Sequence, residues 1–183
     1  SCSSGTDALL MSLMALDIKP GDAVFTTPFT FFATAEVIQF LGATPVFVDI
    51  EENTFNICSE KLKNEILKII KIGQLNPKAI IPVDLFGLPA NYNEIQKIAD
   101  KFNLKVIEDS AQGLGGKINK KMAGSLGDIG TTSFFPAKPL GCYGDGGAIF
   151  TDNDEIADKL KSIRVHGQGV NKYENIRIGI NGR

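Results

Sequence analysis

The chain has 183 residues, of which 43% are hydrophobic and 22% charged, and its formal net charge is −2. This profile is typical of a globular domain, and a charge so close to neutral gives no support for nucleic acid or a membrane surface as a partner. The three cysteines are far apart in the sequence, which indicates neither a zinc site nor a disulfide framework and fits a reduced, cytoplasmic setting.

Helices and strands are predicted to alternate along the chain, from apolar periodicity, capping residues and turn residues. In chain order they are a helix over 8–16, a strand over 23–27, a helix over 32–41, a strand over 45–49, a helix over 59–72 capped by Ser59, a strand over 79–83, a helix from Asn91 or Asn93 to about Phe102, strands over 104–109, 129–134 and 148–151, and a helix over 154–165. This order predicts a three-layer α/β/α fold around a mainly parallel sheet. The last two strands lack a helix between them, which allows one of them to run antiparallel.

The run SFFPAKPLGCYGDGG, at 133–147, carries a single lysine, Lys138, from a strand-like stretch into a loop rich in glycine. Glycine allows the backbone to come close to a bulky ligand. A lysine held among apolar residues loses its charge more readily, and a neutral amine is a nucleophile that can form a Schiff base with pyridoxal phosphate. The alternative is an ordinary surface lysine in a turn, so the partners elsewhere in the chain must decide between the two.

Asp109 ends an apolar strand, and open α/β sheets bind ligands at the carboxyl ends of their strands. A carboxylate at this place could keep a pyridine nitrogen protonated, which makes the ring an electron sink. The alternative is a helix cap, since aspartate is favoured there. Gln112 follows three residues later, and its amide could donate to a phenolic oxygen on the same ring, although glutamine is more commonly a solvated surface residue.

Three residues are candidates for binding a phosphate. Gly5 and Thr6 lie in the first turn of the first predicted helix, where free N–H groups and the helix dipole attract anions. Capping by nearby serine or threonine hydroxyls is expected at the same turn. Ser133, at the end of its strand, could reach the same phosphate while Lys138 reaches an aldehyde.

Phe31 lies between a strand end and a helix, where an aromatic ring could stack on a flat cofactor. Core packing is the alternative for Phe29, Phe31 and Phe32, and at least one of the three is expected in the core. Other phosphate or nucleophile motifs are not matched: residues 113–117 lack the Walker A spacing, no Gly-x-Gly-x-x-Gly directly follows a strand, and no Gly-x-Ser-x-Gly elbow occurs.

Taken together, these motifs resemble the DegT/DnrJ/EryC1/StrS sugar aminotransferases, within the aspartate-aminotransferase-like fold type I class. The matching runs span nearly the whole chain in the expected order: SGTDAL (4–9), PFTF (28–31), VFVD (46–49), VIEDSAQ (106–112), the Lys138 segment and IGINGR (178–183).

The resemblance assigns a role to each candidate. It implies that Lys138 forms the Schiff base with pyridoxal phosphate, that Asp109 pairs with the pyridine nitrogen and that Gln112 bonds the ring hydroxyl. By the same resemblance, the phosphate ligands are Gly5, Thr6 and Ser133, and the stacking aromatic is Phe31. Asn181 lies in a stretch that in such enzymes reaches the cofactor phosphate of the neighbouring subunit, which implies a homodimer with shared active sites.

Residues 138–147 and 165–168 are most similar to enzymes that aminate UDP-linked 3-keto hexuronic sugars, of the UDP-2-acetamido-2-deoxy-3-keto-glucuronate type. The resemblance therefore implies transamination of a nucleotide sugar, with glutamate as donor, in polysaccharide precursor synthesis. The alternatives are an aminotransferase for 4-keto-6-deoxy sugars, a related sugar dehydratase, in which histidine replaces the lysine, and a non-catalytic fragment. Residues 1–183 are expected to be part of the cofactor-binding large domain, truncated at both ends and without the small C-terminal domain.

Overall fold

A computed structural model describes residues 1–171 and 173–183. Its elements are α1 (Gly5–Ala15), β1 (Asp22–Thr26), α2 (Ala33–Phe40), β2 (Thr44–Phe47), α3 (Ser59–Ile72), β3 (Asn76–Ile81), a 3-10 turn (Leu85–Gly87), α4 (Tyr92–Phe102), β4 (Lys105–Asp109), β5 (Lys117–Ile118), β6 (Lys121–Met122), β7 (Ile129–Ser133), β8 (Gly147–Phe150) and α5 (Asp154–Ile163). Among these helices, none has the combined length and apolarity that crossing a membrane requires.

Six strands form one sheet in the order β2-β1-β3-β4-β7-β8. The first five run parallel, and β8 runs antiparallel to β7. The mainly parallel sheet and the antiparallel pair predicted from the sequence are therefore confirmed. In the register of β4 and β7, Asp109 pairs with Thr131. Strand β7 consequently extends two residues further, so that Ser133 lies beyond Asp109 at the same edge of the sheet.

Both faces of the sheet are covered, which explains why its strands read as nearly continuous apolar runs. Successive side chains of a strand point to opposite faces. Val106 accordingly packs in the layer beneath α3 and α4, while Ile107 packs in the layer beneath α1, α2 and α5. Both are fully buried, and burying an aliphatic side chain of this size stabilises the fold by about 1.5–3 kcal/mol. The three-layer α/β/α fold is confirmed.

The helix ends follow the predicted chemistry with one exception. The Ser4 hydroxyl caps α1 by accepting from the backbone N–H of Asp7 at 3.0 Å, and Asn91, rather than Asn93, caps α4. The prediction that Ser59 caps α3 is wrong, because Ser59 is already helical and Cys58 occupies the cap position without a side-chain hydrogen bond.

Candidate active site at the carboxyl edge of the sheet

A cavity of about 480 Å³ lies at the carboxyl ends of β4 and β7. This volume is within the range of small-molecule and cofactor sites. The first turn of α1, the segment leading into α2 and the loop after β7 complete its walls. Seven of the predicted site residues line it: Gly5, Thr6, Phe31, Asp109, Gln112, Ser133 and Lys138.

Asp109 forms the floor of the cavity, where its side chain is 5% exposed. Its Oδ2 accepts a hydrogen bond from the Thr34 hydroxyl at 2.8 Å, and its Oδ1 accepts one from the backbone N–H of Ala111 at 3.2 Å. Burial raises the pKa of Asp109, and these two hydrogen bonds and the charge of Lys138 oppose the increase. Residues 111–115 form turns rather than a helix, so Asp109 is not a helix cap.

Thr34 is a site residue that the sequence analysis missed. It lies in the first turn of α2 and lines the cavity, and its hydroxyl is also within hydrogen-bond distance of Thr30, at 2.9 Å. The four-residue spacing of the two threonines across the start of a predicted helix placed them on one face. Nothing in the sequence, however, indicated that this face would meet the end of β4.

Gln112 lies on the turn after β4 and is half-buried, so it is not a solvated surface residue. Its Oε1 accepts a hydrogen bond from the backbone N–H of Phe86 at 2.9 Å. Because the amide oxygen is held in this way, the amide nitrogen is the group that can donate to a ligand in the cavity. The geometry is compatible with the predicted contact to a ring hydroxyl.

The first turn of α1 approaches the end of β7 closely, with Gly5 packed against Ser133. The first N–H groups of a helix have no acceptor within the helix. In α1 these groups lie at the cavity wall, and the Ser133 hydroxyl lies beside them. Asp7, in the same turn, accepts a hydrogen bond from the Ser3 hydroxyl and does not line the cavity. The turn is therefore able to bind a phosphate group.

Three phenylalanines in the segment between β1 and α2 are exposed to 45% (Phe29), 67% (Phe31) and 71% (Phe32). The expectation that at least one of them packs in the core is wrong. This segment passes over the carboxyl edge of the sheet, where the apolar layers end, and Phe31 lines the cavity there. Phe29 instead contacts the rings of Phe55 and Phe86, at centroid distances of 5.7 and 6.2 Å.

Lys138 is half-buried in the loop after β7, and its side chain lines the same cavity as Asp109. Its backbone N–H donates to the carbonyl of Phe135 at 2.8 Å, which forms a tight turn. A β-carbon on Gly141 would lie 2.4 Å from the Pro136 carbonyl oxygen, so only glycine lets the loop close behind the lysine. Lys138 therefore lies in a turn, as the simpler alternative held, but the turn delivers its amine to the cavity.

Asn181 is not brought to this cavity. It pairs with Val165 in an isolated β-bridge, is exposed, and its Oδ1 accepts a hydrogen bond from Arg183 Nε at 3.4 Å. Its predicted contact with the cofactor phosphate of a neighbouring subunit stays a prediction. The only histidine, His166, is also exposed and does not line the cavity.

The chemical content of the cavity is an amine, a buried carboxylate, an amide donor, a helix N-terminus with a serine hydroxyl, and an exposed aromatic ring. Within residues 1–171 and 173–183, no group of three histidine, cysteine, aspartate or glutamate side chains could bind a metal ion. Such a set of groups suits a flat, anionic, heteroaromatic ligand that carries a carbonyl carbon within reach of the amine.

The whole chain, residues 1–183, matches the DegT/DnrJ/EryC1/StrS aminotransferase family. It is 48% identical over 183 residues to the UDP-2-acetamido-2-deoxy-3-oxo-D-glucuronate aminotransferase of Pseudomonas aeruginosa, covering 100% of this chain and 49% of the relative. A solved structure of a DegT DnrJ EryC1 StrS aminotransferase from Brucella abortus has a TM-score of 0.98 and 56% identity, covering 100% of this chain and 49% of that one.

A crystal structure of NtdA from Bacillus subtilis with bound cofactor PMP has a TM-score of 0.86 and 38% identity, covering 100% of this chain and 40% of that one. The chain thus spans about half the length of the Pseudomonas and Brucella proteins. Because the match extends over every residue and the fold agrees with that of solved members, the chain belongs to the DegT/DnrJ/EryC1/StrS aminotransferase family.

Proposed function

We propose that this chain is the cofactor-binding part of a sugar aminotransferase that uses pyridoxal phosphate to aminate a keto group on a nucleotide-linked sugar. The observation that carries the proposal is that Lys138 and Asp109 line one cavity together with the first turn of α1. This cofactor has three separate requirements: a lysine amine, a carboxylate and a helix end that can bind phosphate. The residues that supply them are far apart in the sequence, and the fold brings them together.

The residues present fit the cofactor group by group. The phosphate would be held by the N–H groups of Gly5 and Thr6 and by the Ser133 hydroxyl. The ring nitrogen would face Asp109, the ring hydroxyl would face Gln112, and Phe31 would cover the ring. When bound, pyridoxal phosphate supplies an electron sink that stabilises negative charge on a neighbouring carbon.

The chain's own residues would then carry out the remaining steps. Lys138 would bind the cofactor carbonyl through its amine, and after release it would move a proton as general base and acid. Asp109 would hold a proton on the ring nitrogen, and its two hydrogen bonds favour the ionised carboxylate that this role requires.

The substrate within this proposal is a UDP-linked 3-keto hexuronic sugar, and glutamate is the amino donor. The choice of sugar is supported by the name of the Pseudomonas relative and its 48% identity. A homodimer with shared active sites, to which Asn181 contributes, is proposed on the family resemblance alone. A cytoplasmic location is also part of the proposal, since the three cysteines are all unpaired thiols, as a reducing compartment would keep them.

The experiment that tests the proposal replaces Lys138 by alanine in the purified protein. The wild-type protein is expected to bind pyridoxal phosphate with the visible absorbance of a lysine-bound cofactor, and to aminate the 3-keto sugar with glutamate as donor. Lys138→Ala should lose both the absorbance and the turnover. The control is Lys121→Ala, an exposed lysine of β6 that does not line the cavity. Turnover that survives in Lys138→Ala would exclude the proposed role.

A further inference from the structure

Two acidic residues and a tyrosine lie buried together behind the floor of the cavity. Asp84 follows β3 and is 0% exposed, Glu108 precedes Asp109 in β4 and is 0% exposed, and Tyr92 begins α4 and is 4% exposed. None of the three lines the cavity, so the proposed transamination does not use them directly. Two buried carboxyl groups side by side are costly unless their charge is reduced or compensated.

Glu108 is compensated by the backbone. Its Oε1 accepts a hydrogen bond from the N–H of Gly124 at 2.5 Å, and its Oε2 accepts one from the N–H of Leu126 at 2.7 Å. Backbone N–H groups can only donate, so both oxygens of Glu108 must be acceptors. The loop after β6 therefore holds Glu108 as the ionised member of the pair.

Asp84 is arranged differently. Its Oδ1 accepts hydrogen bonds from the backbone N–H of Ala90 at 3.1 Å and from the Tyr92 hydroxyl at 2.8 Å. Its Oδ2 is fully buried and meets no donor among the residues that the structure describes. An oxygen without a donor can still form a hydrogen bond if it carries a proton and faces an acceptor. The acceptor beside Asp84 is the carboxylate of Glu108.

The electrostatics agree with this geometry. Burial, and then the charge of Glu108, raise the pKa of Asp84 to about 8. Burial also raises the pKa of Glu108, and its backbone hydrogen bonds oppose that increase. Tyr92, on α4, has its pKa raised well above the usual value by burial and by the nearby carboxylates, which include Asp109. These groups, from the segment after β3, from β4 and from α4, are all acidic, and neither Asp84 nor Glu108 forms an ion pair within the described part of the chain.

We infer that Asp84 and Glu108 share one proton, carried by Asp84, and that their hydrogen bond positions the two segments that present Asp109 and Gln112 to the cavity. The shared proton does not depend on the proposed function. The positioning role does rest on the proposed function. Asp84 is a positioning residue in this view, because it acts on the cavity through its neighbours.

Three contacts connect the pair to the cavity. The backbone N–H of Asp84 donates to the carbonyl of Asp109 at 3.0 Å, which joins the segment after β3 to the end of β4. The side chain of Asp84 packs against Gly113, where an added β-carbon would lie 2.7 Å from Oδ2. Gly113 directly follows Gln112, whose amide oxygen is held by the N–H of Phe86, within the 3-10 turn that begins after Asp84. Ionisation of Asp84 would break the hydrogen bond on which these contacts depend.

The experiment compares wild-type protein with Asp84→Asn by urea unfolding between roughly pH 5 and 9. Asparagine keeps the acceptor for Ala90 and Tyr92, and its amide donates to Glu108 as the protonated acid does. A folded-state pKa above the unfolded value of about 3.9 means that the proton's stabilisation is lost as the pH rises through the folded pKa. The wild-type unfolding constant should therefore rise relative to Asp84→Asn, by up to about tenfold per pH unit, and level off above about pH 8. Parallel curves for the two proteins would overturn the inference.

Glu108→Gln is the matched variant that identifies which residue carries the proton. The amide nitrogen of glutamine is a donor and would face another donor, the backbone N–H of Gly124 or Leu126. This variant should therefore be destabilised at every pH, unlike Asp84→Asn. In infrared spectra near neutral pH, the carboxyl band of a buried protonated acid should be present in the wild-type protein and absent from Asp84→Asn. Two results would overturn the assignment of the proton. One is that Glu108→Gln keeps its stability while Asp84→Asn loses it, and the other is that the wild-type protein shows no such band.

The positioning role is tested by the affinity for pyridoxal phosphate, measured from below to above pH 8 in the same two proteins. The ratio of the wild-type dissociation constant to that of Asp84→Asn should rise about tenfold across this range, the effect of one lost hydrogen bond to a charged group. A constant ratio would overturn the positioning role. If neither protein binds the cofactor, the proposed function and the positioning role fail together, while the unfolding curves still decide the shared proton.

Discussion

A β-carbon placed on Gly5 would lie 2.6 Å from the β-carbon of Ser133. Gly5 begins α1 and Ser133 ends β7, so this contact joins the N-terminus of a helix to the carboxyl end of a strand from the far half of the chain. The φ angle of Gly5 is not positive, and the requirement for glycine is therefore one of space and not of backbone conformation. The close approach of the two elements is what places the first N–H groups of α1 beside the Ser133 hydroxyl, where a phosphate is proposed to bind.

Gly5→Ala should separate α1 from β7. Overpacking of this kind typically costs about 1–3 kcal/mol, and here it should also weaken phosphate binding by moving the helix N–H groups away from the Ser133 hydroxyl. Urea unfolding gives the loss of stability, and titration with pyridoxal phosphate gives the loss of affinity. Ser133→Gly removes the obstructing β-carbon, so the double variant should recover part of the stability lost in Gly5→Ala. Strictly additive effects of the two substitutions would show that the contact is not the cause.

Thr34→Val tests the hydrogen bond that supports Asp109. The substitution removes the hydroxyl donor at 2.8 Å from Oδ2 but keeps the shape of the side chain. Loss of a hydrogen bond to a buried charged group should destabilise the fold by about 1.5–3 kcal/mol. Thr30→Val is the matched control, since Thr30 contacts Thr34 and has no hydrogen bond to Asp109 among the described contacts.

The effect of Thr34→Val should depend on pH with a defined sign. Burial raises the pKa of Asp109 above its unfolded value, and the Thr34 hydrogen bond favours the ionised form. The stability that the protonated form contributes is lost as the pH rises through the folded pKa, and above that pKa Asp109 is ionised. Because the Thr34 hydrogen bond stabilises the ionised form, the variant should lose more stability above that pKa than below it. Unfolding curves at several pH values would measure the difference. A loss of equal size at all pH values would mean that Thr34 does not act through the Asp109 charge.

The sheet and the position of the cavity could be predicted because they depend on local patterns. A strand that ends in Asp109 and a helix with Gly5 in its first turn are each indicated by a few neighbouring residues, and the parallel topology then brings their ends to one edge. The predicted bounds of α3 agree with the structure, and only its capping residue was wrong: Cys58 takes the cap position, and the Ser59 hydroxyl is buried without a hydrogen-bond partner in the described part of the chain.

Other features depend on contacts that sequence spacing does not reveal. The two-residue strands β5 and β6 are too short to show an alternating pattern. The exposure of Phe31 follows from its place over the edge of the sheet, where an aromatic residue is not covered by a helix layer. The inferred pairing of Asp84 with Glu108 joins the segment after β3 to β4, and no local motif predicts it. The contact predicted for Asn181 involves a second copy of the chain and stays a prediction.

Tyr92→Phe isolates the tyrosine's contribution to the buried acidic cluster. The substitution removes the hydroxyl that donates to Asp84 Oδ1 at 2.8 Å and leaves the packing of the ring. Because this hydrogen bond favours the ionised form of Asp84, its loss should raise the pKa of Asp84 above its value of about 8. The pH range in which the wild-type protein loses stability relative to Asp84→Asn should then extend to higher pH when both proteins carry Tyr92→Phe. The measurement is the same set of unfolding curves in the Tyr92→Phe background, and a range that moves to lower pH would contradict the assignment of Tyr92 as a donor to Asp84.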